Sequence, residues 1–180
     1  IVWAFLPLYM TTNAALSTTA AGLVVGIGVL AGGILNIPMG TLADRTERRR
    51  LIAGGGLIAA YGILSFGRAE TFRDFAIASA CLGAGGGIAI PAIMAMVARH
   101  GQQRAAMGAM MAVMTAVHSA GMMTGALLGG FIMDRFTLGG VFPAGAAILL
   151  GGTLAFAFLG RAARPRNAEI PPSALPLPLH

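Results

Sequence analysis

Charge is scarce in this 180-residue chain, where only 10% of residues are Asp, Glu, Lys or Arg, against about 25% in an ordinary soluble domain. A water-facing fold of this length needs a charged surface, so water is excluded as its main solvent. Lysine is absent, and all twelve basic residues are arginine. The single cysteine, Cys81, sits inside an apolar run, which excludes an internal disulfide and cysteine-based metal spacing; it reads as a small packing residue. The six acidic residues, Asp44, Glu47, Glu70, Asp74, Asp134 and Glu169, all avoid the middle of an apolar run. A membrane-embedded enzyme would need a cluster of His, Asp, Glu or Ser/Lys at membrane depth. No such cluster is found, so neither catalysis nor a metal or cofactor is expected.

What is present is apolar: 57% of residues are hydrophobic and the mean hydropathy is +0.81. From Tyr9 to Ala43 the only ionisable side chain is that of Tyr9, and from Phe75 to Ala98 it is that of Cys81. Each run reaches or exceeds the roughly 20 residues a helix needs to cross the hydrocarbon core. Apolar runs bounded by polar, Gly or Pro punctuation predict a truncated first helix at 1–12 and five more at 18–43, 51–67, 73–98, 104–133 and 139–160. The third run is short, so its ends are expected to extend into the flanking loops. Residues 1–160 thus read as a six-helix bundle. Residues 161–180 are polar and then Pro-rich, cannot continue a helix, and read as a disordered cytoplasmic tail. The chain starts in mid-helix with no basic segment ahead of it, which excludes a signal peptide and reads as a fragment without its natural beginning. Pro91 and Pro7 are expected to kink their helices.

The net charge is +6 with a pI near 11.3, which in a soluble protein would raise nucleic acid as a partner. The arginines instead form short clusters between apolar runs. Counted on alternate connections, Arg45, Arg48, Arg49, Arg50, Arg99, Arg104, Arg161, Arg164 and Arg166 fall on one side, and Arg68, Arg73 and Arg135 on the other. Nine against three places both chain ends in the cytoplasm by the positive-inside rule. A multi-pass protein of the plasma (inner) membrane, with the lipid bilayer as partner and no nucleic acid, is the expectation.

The most informative segment is Gly40-Thr-Leu-Ala-Asp-Arg-Thr-Glu-Arg-Arg-Arg50. Gly40 leaves room for another helix, Asp44 ends the span, and four arginines follow within six residues, a loop able to latch neighbouring helices by ion pairs. It resembles the signature loop of the major facilitator superfamily, G-x-L-a-D-r-x-G-r-r-x, through Gly40, Leu42, Asp44, Arg45, Arg48 and Arg49. Glu47 stands where that pattern has its second Gly. The resemblance implies an all-α, six-span half of a transporter bundle built as two inverted three-helix repeats, with the other six-helix half of the same protein as its partner. It also implies a cytoplasmic gate, in which the Asp meets the N-terminal end of the fifth helix and the arginines hold the outward-facing state. A carboxylate is indeed stabilised at a helix N-terminus.

Other candidates lie at membrane depth. Gly28, Gly32, Asn36, Gly40 and Asp44 recur at intervals of four and share a helix face, and Asn36 is either a lining group or an interhelical hydrogen bond. Gly121, Gly125, Gly129 and Gly130 form a small-residue ladder suited to helix packing. That ladder also resembles the superfamily's antiporter motif, with Ala126 in place of its Pro. His118, on the same face as Gly121 and Gly125, is the one strongly ionisable side chain deep in a span, either a proton-exchanging site or a neutral hydrogen-bonded group. Seven of the eleven methionines fall on the fifth run; thioethers suit varied apolar ligands or simply fill space. Gly26-x-Gly28-x-x-Ala31 and Gly83-x-Gly85-Gly-Gly87 mimic nucleotide motifs without their βαβ context, and read as helix-packing glycines. Tyr9, Asn36, Met111, Thr115 and His118 are the candidate substrate-lining residues.

The resemblance implies secondary active transport of a small molecule by alternating access, with proton-coupled efflux of lipophilic or drug-like compounds expected and the proton gradient as energy source. Import of small polar solutes, or a non-transporting scaffold or receptor, are the alternatives. The mid-helix start and Pro-rich end favour the C-terminal half.

Overall fold

The computed structural model describes residues 2–12, 14–135 and 138–162, and the Pro-rich segment 163–180 lies outside the described residues. These form six α-helices, α1 (Val2–Thr12), α2 (Thr18–Arg45), α3 (Arg48–Phe66), α4 (Phe72–Gln103), α5 (Met107–Arg135) and α6 (Val141–Ala162), with a short 3₁₀ turn at Leu138–Gly140. All six predicted helices are present, each within five residues of its expected bounds. Local chemistry sets the ends. The Ser17 hydroxyl accepts from the Ala20 N–H to start α2, and Thr71 and Asp74 form a reciprocal capping box at the start of α4, satisfying amide donors that a helix end leaves unpaired. Pro7, Pro38 and Pro91 all lie inside continuous helices.

Among the described residues four helices, α2, α4, α5 and α6, are long and apolar enough to cross a membrane. The expectation of six such spans is met by six helices but not by six spans of that character. α1 has 11 residues, and α3 has 19, opens with Arg48, Arg49 and Arg50, and is otherwise rich in Gly and Ala. α3 needs little apolar surface because much of it is covered by protein: Ile52, Gly55, Gly56, Ala59, Ala60, Gly62, Ile63 and Phe66 are buried between α4 and α6.

α4 is the centre of the bundle, packed along α2 on one side and α3 on the other. Its glycine run is divided between the two neighbours by helical periodicity. Gly83 and Gly87 face α2, where a methyl group at Gly83 would overlap the Gly28 carbonyl and one at Gly87 would come within 2.6 Å of the Gly32 carbonyl. Gly85 faces α3, where a methyl would sit 2.5 Å from the Gly55 carbonyl. Gly86, between them, meets only the tip of Ile90 at 3.7 Å. The buried Ser79 hydroxyl donates to the Val24 carbonyl at 2.7 Å, tying α4 to α2 where hydrocarbon offers no competing water. At one end of the bundle Tyr9, Phe66, Phe75 and Phe142 form an aromatic cluster, with Tyr9 and Phe142 edge to face at 4.9 Å, a preferred geometry for such rings.

α5 stands apart: of its 29 residues only Gly125 and Gly129 are buried. Phe5 of α1 seats its ring on Gly129, while Trp3 of α1 rests on Gly28 of α2. The link from α4 to α5 is a Schellman turn, with the Ala106 N–H donating to the Gly101 carbonyl at 2.9 Å, the Ala105 N–H donating to the Gln102 carbonyl at 3.2 Å, and Ala105 at φ 50°.

Gly83→Val is expected to cost about 3 kcal/mol or more, because the overlapped atom is backbone and cannot move aside. Gly86→Ala, with open space beside it, is expected to be tolerated. Thermal unfolding in detergent, followed by size-exclusion fluorescence, reads both; equal midpoints would refute the close α2–α4 approach. Ala105→Gly should stabilise the same preparation by about 0.5–1 kcal/mol, since glycine occupies the left-handed region without Cβ strain.

Candidate functional site

The Arg-rich loop after α2 is built by the helix ends themselves. The Arg48 Nε donates to the Ala43 carbonyl at 3.1 Å, so a side chain from the start of α3 closes the end of α2. Its Nη2 lies 3.7 Å from Asp44 Oδ1. Arg50 and Glu47 pair at 2.7 Å. Such exposed pairs are worth about 0–1 kcal/mol, so they bias the loop's conformation without contributing much to overall stability. Asp44 is 73% exposed, Leu42 gives its carbonyl to the Thr46 N–H at 2.9 Å, and no atom lies within 4 Å of a methyl built at Gly40. Arg45 is exposed and Arg49 partly buried.

The loop faces the last turns of α4 across a cleft of about 610 Å³, lined from the loop by Ala43 to Arg49 and from α4 by Met96, Arg99, His100 and Gln103. The resemblance implies a meeting of Asp44 with the start of α5. Among the described residues α5 supplies none of the lining, and Asp44 is paired with Arg48. Sequence reasoning counted Arg99 for orientation only and missed His100 and Gln103. Their signal was available, because the expected up-and-down alternation of the helices puts the end of α4 at the same end of the bundle as the α2–α3 loop.

The candidate lining residues are divided among three places. Met111, Thr115 and His118 share one face of α5, spaced by four and three residues; Thr115 and His118 are exposed, and the Thr115 hydroxyl is turned onto the Met111 carbonyl at 3.0 Å. Asn36 is exposed on α2. Tyr9 is elsewhere: its ring belongs to the aromatic cluster, beside a cavity of about 310 Å³ lined by Ala14, Ala69 and Glu70. The small-residue ladder also splits, since Gly125 and Gly129 are buried whereas a methyl at Gly121 or Gly130 would meet nothing within 4 Å. A second, apolar cleft of about 400 Å³ runs between α5 and α6, lined by Trp3, Leu82, Thr124, Leu128 and Ile148 among others. Of its lining, Gly121 and Gly125 were singled out from sequence, as packing glycines and not as cleft residues. Among the described residues no group of three or more His, Cys, Asp or Glu is placed to hold a metal ion.

The family model described as Major Facilitator Superfamily matches residues 1–179. The multidrug resistance protein MdtG of Serratia proteamaculans is 30% identical over 154 residues, covering 83% of this chain and 37% of that protein. MdtG of Salmonella paratyphi A is 33% identical over the same length and shares. The multidrug resistance protein MdtH of Aeromonas hydrophila is 32% identical over 113 residues, 63% of this chain and 28% of that protein. The chain thus spans about a third of the length of the curated relatives it matches. No solved structure matches it significantly. With an all-helical bundle, apolar spans, the Asp44–Arg48 loop closing α2, and a family match along nearly its whole length, this membrane protein belongs to the Major Facilitator Superfamily of transporters.

Proposed function

We propose that the chain forms one six-helix half of a secondary active transporter that exports lipophilic or drug-like compounds across the plasma membrane by alternating access, driven by protons. The observation that carries this reading is the uncovered face of α5. A helix this apolar, with His118 and Thr115 on one exposed face, is suited to border a cavity shared with a second half, since ionisable groups at membrane depth avoid lipid. Exposed Met122, Met123, Val117 and Leu127 on the same helix offer polarisable and apolar contacts to varied ligands. The relatives named multidrug resistance proteins support the substrate class. α1 and α3 complete the six spans in this reading, and both chain ends face the cytoplasm, as the nine-to-three arginine count supports.

In this mechanism the loop ion pairs set the inward–outward equilibrium. The Asp44 carboxylate competes for Arg48 between the latch seen here and contacts made in other conformations, and a ligand acts only through its differential affinity for those states. His118, on the exposed face of α5, is the group of this half that would carry a proton.

Everted vesicles containing the full-length transporter should extrude ethidium when a proton gradient is imposed. Asp44→Asn should slow initial efflux about fivefold, the effect of about 1 kcal/mol on the conformational ratio. His118→Ala should abolish coupling to the gradient while leaving the protein in the membrane. Vesicles that contain the protein but show no efflux above empty controls would remove the drug-exporter reading.

A further inference from the structure

The cleft between the α2–α3 loop and the end of α4 has a chemistry that gating does not account for. Arg45, Arg48 and Arg49 meet Arg99, His100 and Gln103 of α4 around one open space, and only Asp44 and Glu47 offset the positive charge there. Arg48 is committed to α2 through the Ala43 carbonyl and Asp44, and Glu47 to Arg50. Among the described residues no carboxylate is recorded against Arg49 or Arg99. The cleft also has a definite depth. α4, with 32 residues, rises about 48 Å, well beyond a hydrocarbon core of about 30 Å, so its final turn emerges at the headgroup layer. About two turns deeper on the cleft face of α2, Ile37 exposes apolar surface, the side on which an acyl chain would lie.

We infer that this cleft binds the phosphate of an acidic phospholipid, with Arg49 and Arg99 as its principal contacts. Guanidinium groups suit phosphate oxygens because their donors form a planar fork, and basic pockets between helices on the cytoplasmic side are favourable for acidic headgroups. The cleft requires both a charge and an adjacent apolar anchor, which a headgroup on its acyl chains supplies together. A seated phosphate would draw on the same arginine cluster as Asp44, which couples the lipid to the loop. The inference depends on where this end of the bundle lies in the membrane and not on what is transported.

The test measures binding of dioctanoyl phosphatidylglycerol, dioctanoyl phosphatidylcholine and inorganic phosphate to the purified chain in neutral detergent by native mass spectrometry. Only the phosphatidylglycerol should be retained. Arg49→Gln and Arg99→Gln should each weaken its binding about fivefold, whereas Arg68→Gln with Arg73→Gln, at the opposite end, should leave it unchanged. A photoactivatable phosphatidylglycerol reacted with the wild-type chain should label Met96–Gln103, a readout that survives if a variant fails to fold. Equal retention of phosphatidylcholine, equal binding of inorganic phosphate, unweakened binding by the cleft variants, or labelling elsewhere would each overturn the proposal.

Discussion

The architecture depends on how closely the backbone of α4 can approach two helices at once. In hydrocarbon, apolar side chains gain little by leaving lipid for protein, so helix association relies on van der Waals contact and interhelical hydrogen bonds. Gly83 and Gly87 bring α4 against α2, Gly85 brings it against α3, and Ser79 adds a directed bond to Val24. With side chains removed from both faces, the three helices form a tight slab. α6 joins it through α3, where Gly56 gives space to Thr153.

α5 and the α2–α3 loop are held more loosely than that slab, and most of the candidate functional features lie there. α5 is tethered by the Schellman turn at Ala105 and by the Phe5 ring on Gly129, leaving Thr115 and His118 uncovered. The α2–α3 loop is held by weak, exposed ion pairs across a cleft from α4. A rigid centre with lightly held margins is the distribution of stability that moving elements require. The two ends of the bundle also differ in kind: one is closed by aromatic packing around Tyr9 and Phe142, the other is an open basic cleft.

Much of the fold was legible because the bilayer imposes a simple rule. Charge-free runs such as Phe75–Ala98 must span, and clusters such as Arg48–Arg50 must not, so most of the helices are separated at arginines. The Asp44 loop was legible because its charges interrupt an apolar chain. The candidate lining set rests on polarity and expected depth alone. Met111, Thr115 and His118 fall on one helix face, whereas the ring of Tyr9, chosen on the same ground, belongs to the aromatic end of the core. Polarity at a given sequence position does not reveal which neighbour a side chain meets. The Gly28, Gly32, Asn36, Gly40 stripe illustrates the same point, since its first two glycines pack on α4 while Asn36 is exposed and Gly40 has open space.

The sequence by itself determined the solvent and the helices, because each follows from composition and from the apolar runs along one chain. Only the tertiary structure decided which glycines are contacts, that α3 is largely covered by protein while α5 is bare, and that Arg99 and His100 share a cleft with the α2–α3 loop. These facts depend on how helices distant in sequence are rotated against one another. That rotation is set by the summed fit of many small side chains, and no local pattern encodes it.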